Sequence, residues 1–159
     1  MKYDKELLRK VSTYVKGQLY GEHTGHDWYH VLRVLRTARY LQHMEGGDPM
    51  LVELSALLHD LGDYKMYGYS EDKGNLVLDG MMDILEISPD IQEKIMLIVR
   101  QSQFKGKDTE TPDSIEGKII QDSDWLEAIG AIGIARAFAT GCVFRRMLYD
   151  PEIKPRKNL

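Results

Sequence analysis

Apolar residues recur at helical spacing between capping signals along this chain, and no segment alternates as a half-buried strand would. That pattern predicts one fold class, an all-α single-domain helical bundle. Asp4 is placed to cap a first helix carrying Leu7, Leu8, Val11, Tyr14, Val15 and Leu19. Gly21 to Gly25 breaks the run, and Asp27 offers the next cap. Trp28, Val31, Val34, Leu35, Ala38 and Leu41 then follow until Gly46-Gly47. Asp48-Pro49 puts proline at a first helical position, and Leu51, Leu54, Ser55, Leu58 and Gly62 trace a stripe beyond it. A tyrosine-bearing turn covers Gly62 to Tyr69. Ser70 and Ser88-Pro89 open a fourth and a fifth helix, Gly106 to Pro112 is a polar loop, and the period resumes from Ser114.

A chain of 159 residues is about one domain. The helical pattern assigns 1–148 to it and leaves 149–159, with Pro151 and Pro155, as an irregular tail. Lys and Arg number 21 against 25 Asp and Glu, a net charge of −4. Non-specific nucleic-acid binding and adhesion to anionic membranes depend on surplus cations, so neither is expected as a partner. Cys142 is the single cysteine, which excludes an internal disulfide and predicts a small buried residue. Ala128 to Phe144 is the most apolar stretch. Arg136 and three glycines interrupt it, so it is expected as a packed helix and not a membrane span. The N-terminus has no secretory pattern, and a cytoplasmic protein is expected.

Three otherwise apolar stripes carry a polar residue each. His30 shares a face with Val34, Ala38 and Leu41; His59-Asp60 closes the third helix; Asp124 lies on the face of Ile120 and Ala128. Buried without partners such groups cost free energy, and a metal ion is a natural partner. Two histidines with two aspartates form a nitrogen and oxygen set suited to Mn, Co, Ni, Fe or Mg.

In order, His30-Val-Leu-Arg33-Val34, Leu57-Leu58-His59-Asp60-Leu61-Gly62-Asp63 and Asp122-Ser123-Asp124 resemble the HD-domain metal phosphohydrolase superfamily. Gly25 to His30, His59 to Lys65 and Ser114 to Arg136 are similar to blocks of the small bacterial members, which include nucleotide pyrophosphohydrolases. The match spans roughly residues 20 to 140.

The resemblance implies metal ligands at His30, His59, Asp60 and Asp124, with Asp122 the alternative to Asp124. It implies Asp63 as the carboxylate that activates water. Phosphate oxygens need donors, and Lys65 in the same block is the first choice ahead of Arg33, Lys105 and Lys118, Arg33 being better placed for a structural ion pair with a core carboxylate. His26, four residues before His30, is expected to reach substrate, while Asp27 beside it is a helix cap. With no histidine between His59 and Asp124, one divalent ion is implied, manganese favoured, and two-metal phosphodiesterase and di-iron oxygenase chemistry are disfavoured. The implied activity is hydrolysis of a phosphate ester or phosphoanhydride in a nucleotide or related small phosphate compound. The alternative is a non-catalytic metal- and nucleotide-binding module. Two departures stand out. Trp125 holds the place where close relatives have Arg or Lys, and similar proteins continue for several more helices, which keeps a homo-oligomer open.

Overall fold

The computed structural model describes residues 2–62 and 70–154, and these form an all-α bundle. Helix α1 spans Lys5–Leu19, α2 Trp28–Glu45, α3 Pro49–Leu58, α4 Glu71–Ile84, α5 Pro89–Ser102, α6 Ile115–Leu126 and α7 Gly130–Val143. The starts follow the capping chemistry. Asp4, Asp27, Asp48, Ser70 and Ser114 each accept backbone N–H bonds from the first turn of the helix they precede. Gly46, with φ of +89°, turns the chain out of α2 in a conformation that favours glycine.

Helix α3 departs from the stripe expected of it. Every residue from Met50 to Leu58 is buried, because α1, α2, α5 and α6 surround the helix. A helix apolar on all sides belongs at the centre of a bundle, where a one-sided stripe has no meaning. Leu54, Leu57 and Leu58 are essentially sealed from solvent, and each contributes about 1.5–3 kcal/mol of burial. Glu53 is the charged exception, and it is neutralised by Arg39 and by a hydrogen bond from the Tyr3 hydroxyl at 2.7 Å.

The last segment requires a larger correction. The period that runs on from Ser114 is broken after Leu126, and α6 and α7 meet at a bend of 82°. Gly133 makes the start of α7 possible, since a Cβ there would lie 2.2 Å from the Ala128 carbonyl oxygen. Helix α7 is not a packed helix: Gly133 is its buried residue, while Ile134 is 62% and Phe138 51% exposed. Polar bonds hold it instead. Arg136 Nε donates to the Gly25 carbonyl at 2.8 Å, and the Thr140 hydroxyl donates to the Thr24 carbonyl at 2.6 Å. Cys142, expected to be buried, is exposed for the same reason. Among the described residues no single helix is long and apolar enough to cross a membrane.

Candidate metal centre

After Leu58 the chain tightens into a 3-10 turn, His59–Gly62, that ends α3 in the middle of the bundle. The tight turn lets the adjacent side chains of His59 and Asp60 serve one centre, with His59 Nε2 3.4 Å from Asp60 Oδ1. Helix α2 delivers His30, whose ring is wholly buried, and α6 delivers Asp124. His30 Nε2 lies 3.3 Å from His59 Nε2, 3.2 Å from Asp60 Oδ2 and 3.3 Å from Asp124 Oδ1. The four residues expected from the sequence therefore converge, from α2, the 3-10 turn and α6. Asp122 is exposed on the other side of α6 and takes no part.

The outer bonds decide which ring nitrogens face inward. His59 Nδ1 is 2.8 Å from the Ala56 carbonyl oxygen, which can only accept, so Nδ1 carries the proton and Nε2 presents a lone pair. His30 Nδ1 is directed at Glu127 Oε2, 3.5 Å away, and Glu127 is fixed by Arg33 Nε at 2.6 Å. The two Nε2 atoms thus face each other alongside two carboxylates, an arrangement that demands a cation between them. Asp60 Oδ2 is buried and makes no hydrogen bond, a further sign of the missing partner. Octahedral ligands about 2.1 Å from a divalent ion sit about 3 Å apart, close to the separations here, so this donor set fits such an ion.

Electrostatics agree with the geometry. Burial alone would lower the pKa of His30, but Asp60 and Asp124 outweigh it and hold the imidazolium up to about 9. Burial would raise Asp60, yet His59, His26 and His30 hold its carboxyl well below the usual range. Asp124 is half-buried, which would raise its carboxyl, yet its hydrogen bond with His30 brings it below the ordinary value. The two carboxylates outweigh the nearby Arg136 charge as well, so the charged form of His30 is favoured in the metal-free protein.

His26 enters this cluster more closely than its sequence position implied. Its Nδ1 is 2.9 Å from Asp60 Oδ1, and with His30 and Asp60 it forms a second group able to hold a metal. Asp63, Lys65 and the tyrosines at 64, 67 and 69 lie outside the described residues. Lys118 is exposed, and Lys105 lies with Arg100 and Glu110 in a separate polar pocket. Two participants were not legible beforehand. Glu127 follows α6, bonds to Arg33 and stands 3.5 Å from His30 Nδ1; Arg136 had counted only as an interruption of an apolar stretch and the end of a family-like block. Its Nη2 lies 3.2 Å from His30 Nε2. Glu127→Gln is expected to lower divalent-ion affinity about 10–100-fold by calorimetric titration, with the fold intact.

The buried His/Asp cluster can hold a metal ion, and likeness to an HD-superfamily hydrolase makes this chain a metal-dependent hydrolase. The sequence profile of the HD domain family matches residues 27–129, and the chain belongs to that family. The protein YpgQ of Bacillus subtilis strain 168 is 40% identical over 157 residues, covering 93% of this chain and 74% of that protein. A crystal structure of a Lactobacillus plantarum protein superposes with a TM-score of 0.84 at 32% identity, covering 99% of this chain and 73% of that one. An HD-superfamily hydrolase of Bacillus thuringiensis gives 0.67 at 38% identity, covering 97% and 74%. The crystal structure of B. subtilis YpgQ in complex with ADP gives 0.67 at 32% identity, covering 91% and 73%.

Proposed function

We propose that this chain is a metal-dependent phosphohydrolase that cleaves a phosphate ester or phosphoanhydride bond in a nucleotide or related small phosphate compound. The observation that carries this reading is the facing pair of imidazole nitrogens, His30 and His59, flanked by Asp60 and Asp124, with the His59 tautomer set by the Ala56 carbonyl. In this reading those four residues hold one divalent ion, manganese being favoured. Such an ion would supply Lewis acidity to a phosphoryl oxygen and lower the pKa of a coordinated water. The nucleotide part is supported by the ADP complex of YpgQ.

The chain's own groups have separate tasks. The Ala56 carbonyl orients the His59 imidazole, and the Glu127 carboxylate stands 3.5 Å from His30 Nδ1, close enough to favour a proton there. His26, hydrogen-bonded to Asp60, stands where it can pass a proton or touch substrate. Asp63 is assigned to accept the proton of the attacking water, and Lys65 to bind phosphate oxygens.

The test is release of phosphate and pyrophosphate from a nucleotide panel by apo protein loaded in turn with Mn, Co, Ni, Fe or Mg. Pyrophosphate release marks a pyrophosphohydrolase, and phosphate release from monoesters marks a phosphatase. Metal binding with no turnover on any substrate refutes the enzyme and leaves the binding module. Asp63→Asn is expected to bind metal as the parent does and to turn over more slowly; an unchanged rate removes Asp63 as the base.

A further inference from the structure

A cavity of about 390 Å³ opens beside the cluster, lined by His26, Phe104, Asp124, Trp125, Ala128 and Arg136. That volume is in the range of small-molecule sites. Its two sides differ in chemistry. On one side stands Arg136, held in a prepared seat. Its aliphatic stem crosses Gly25, where a Cβ would approach Arg136 Cγ to 3.0 Å, and its Nε is committed to the Gly25 carbonyl. Gly25 also has φ of +95°, so the seat favours glycine twice over.

This seat leaves Nη2 at the His30 ring nitrogen that faces the cluster. Arginine has donors only, and a cation on His30 Nε2 sets two positive charges side by side. An anionic oxygen beside the two relieves that repulsion, and a phosphate supplies several. On the other side the exposed ring of Phe104 meets Trp125 edge to face, centroids 5.6 Å apart at 88°. That corner is apolar and aromatic, suited to the face of a base and unsuited to more phosphate.

We infer that this cavity is a two-part nucleotide subsite: Arg136 takes phosphate oxygens beside the His/Asp cluster, and the Phe104–Trp125 corner takes the base. The inference deepens the phosphohydrolase reading and rests on it. Trp125 thereby has a role that the cation usual at its position in relatives cannot fill, selecting substrates by their base as well as by their charge.

Tryptophan emission reads this directly, since the chain has two tryptophans and Trp28 is sealed in the core. ADP, inorganic pyrophosphate and ribose 5-phosphate are titrated into the protein with and without Mn²⁺. ADP should quench Trp125, and the two compounds without a base should bind at least about tenfold more weakly. Arg136→Ala and Phe104→Ala should each weaken ADP binding about tenfold or more, and Arg136→Lys should restore part of it. Circular dichroism checks that each variant is folded. Equal affinity for ADP and pyrophosphate, or ADP binding unchanged in folded Arg136→Ala and Phe104→Ala, overturns the inference.

Activity separates the two proposals. If ADP binds as stated but no metal yields turnover, the hydrolase reading fails and the subsite stands. If nucleotides are hydrolysed with an unchanged KM in both alanine variants, the hydrolase stands and the subsite fails.

Discussion

Asp124→Ala is expected to abolish useful divalent-ion binding, with an affinity loss of roughly 1,000-fold or more, and hydrolysis with it. Loss of an outer partner alone costs about 10–100-fold, and Asp124 is closer than that. Its Oδ1 lies 3.3 Å from His30 Nε2 and 3.9 Å from His59 Nε2, so the variant loses a carboxylate from the space the two rings face. Asp122→Ala, on the exposed side of α6, is the control and should bind metal within a few-fold of the parent. The two variants differ by one position choice on one helix, so fold-wide effects are matched. Calorimetric titration with Mn²⁺ decides the matter, and the reverse ranking would assign the centre to the wrong aspartate. The metal-free Asp124→Ala protein should also hold the His30 proton less tightly, because one of the two carboxylates that raise its pKa has gone.

The metal-free protein is expected to lose stability as pH rises from neutral toward 9. His30 goes from 6.5 to about 9 on folding, because its carboxylate neighbours outweigh the effect of burial. A folded pKa above the unfolded one gives stability that is complete below pH 6.5 and lost as pH passes through about 9. The contribution is about 3 kcal/mol. Asp60 and Asp124 have the opposite sign: their folded values lie below 3.8, so their contribution is present above that pH and is lost in acid. The stabilising contributions of these three groups are therefore all present between the ordinary carboxylate value and pH 6.5. Urea midpoints measured from pH 4 to 9 read this out. A midpoint that is flat between pH 7 and 9 would mean that His30 is not charged in the folded state.

A divalent ion must displace the same proton. Its affinity should climb about tenfold per pH unit up to about pH 9 and then level off. Saturating metal should accordingly remove the alkaline decline that the apo protein shows.

Much of the fold was legible because helix starts are local chemistry. Asp4, Asp27, Asp48, Ser70 and Ser114 bond to N–H groups two or three residues away, so the signal sits within one turn of sequence. The candidate site was legible for a related reason. His30 and Asp124 are polar residues on apolar faces, and a helix puts residues four apart on one side whatever surrounds it. Trp125 and Arg136 fared differently. Nothing local tells whether an indole at 125 fills space or walls a cavity. Nothing local tells that an arginine in an apolar stretch lies over a glycine 111 positions earlier.

The sequence by itself determined the helical class, the caps, and the inward direction of His30, His59, Asp60 and Asp124, all consequences of bonds and angles within a few residues. Tertiary structure alone decided three other things. It decided that α3 is buried on all sides, because the number of neighbours around a helix is not written in its own period. It decided that α7 leaves α6 at a bend of 82°, with its apolar residues, and Cys142, outside the core. And it decided that Glu127 and Arg136 serve His30, since which distant side chain fills the space beside a buried ring depends on how whole helices pack.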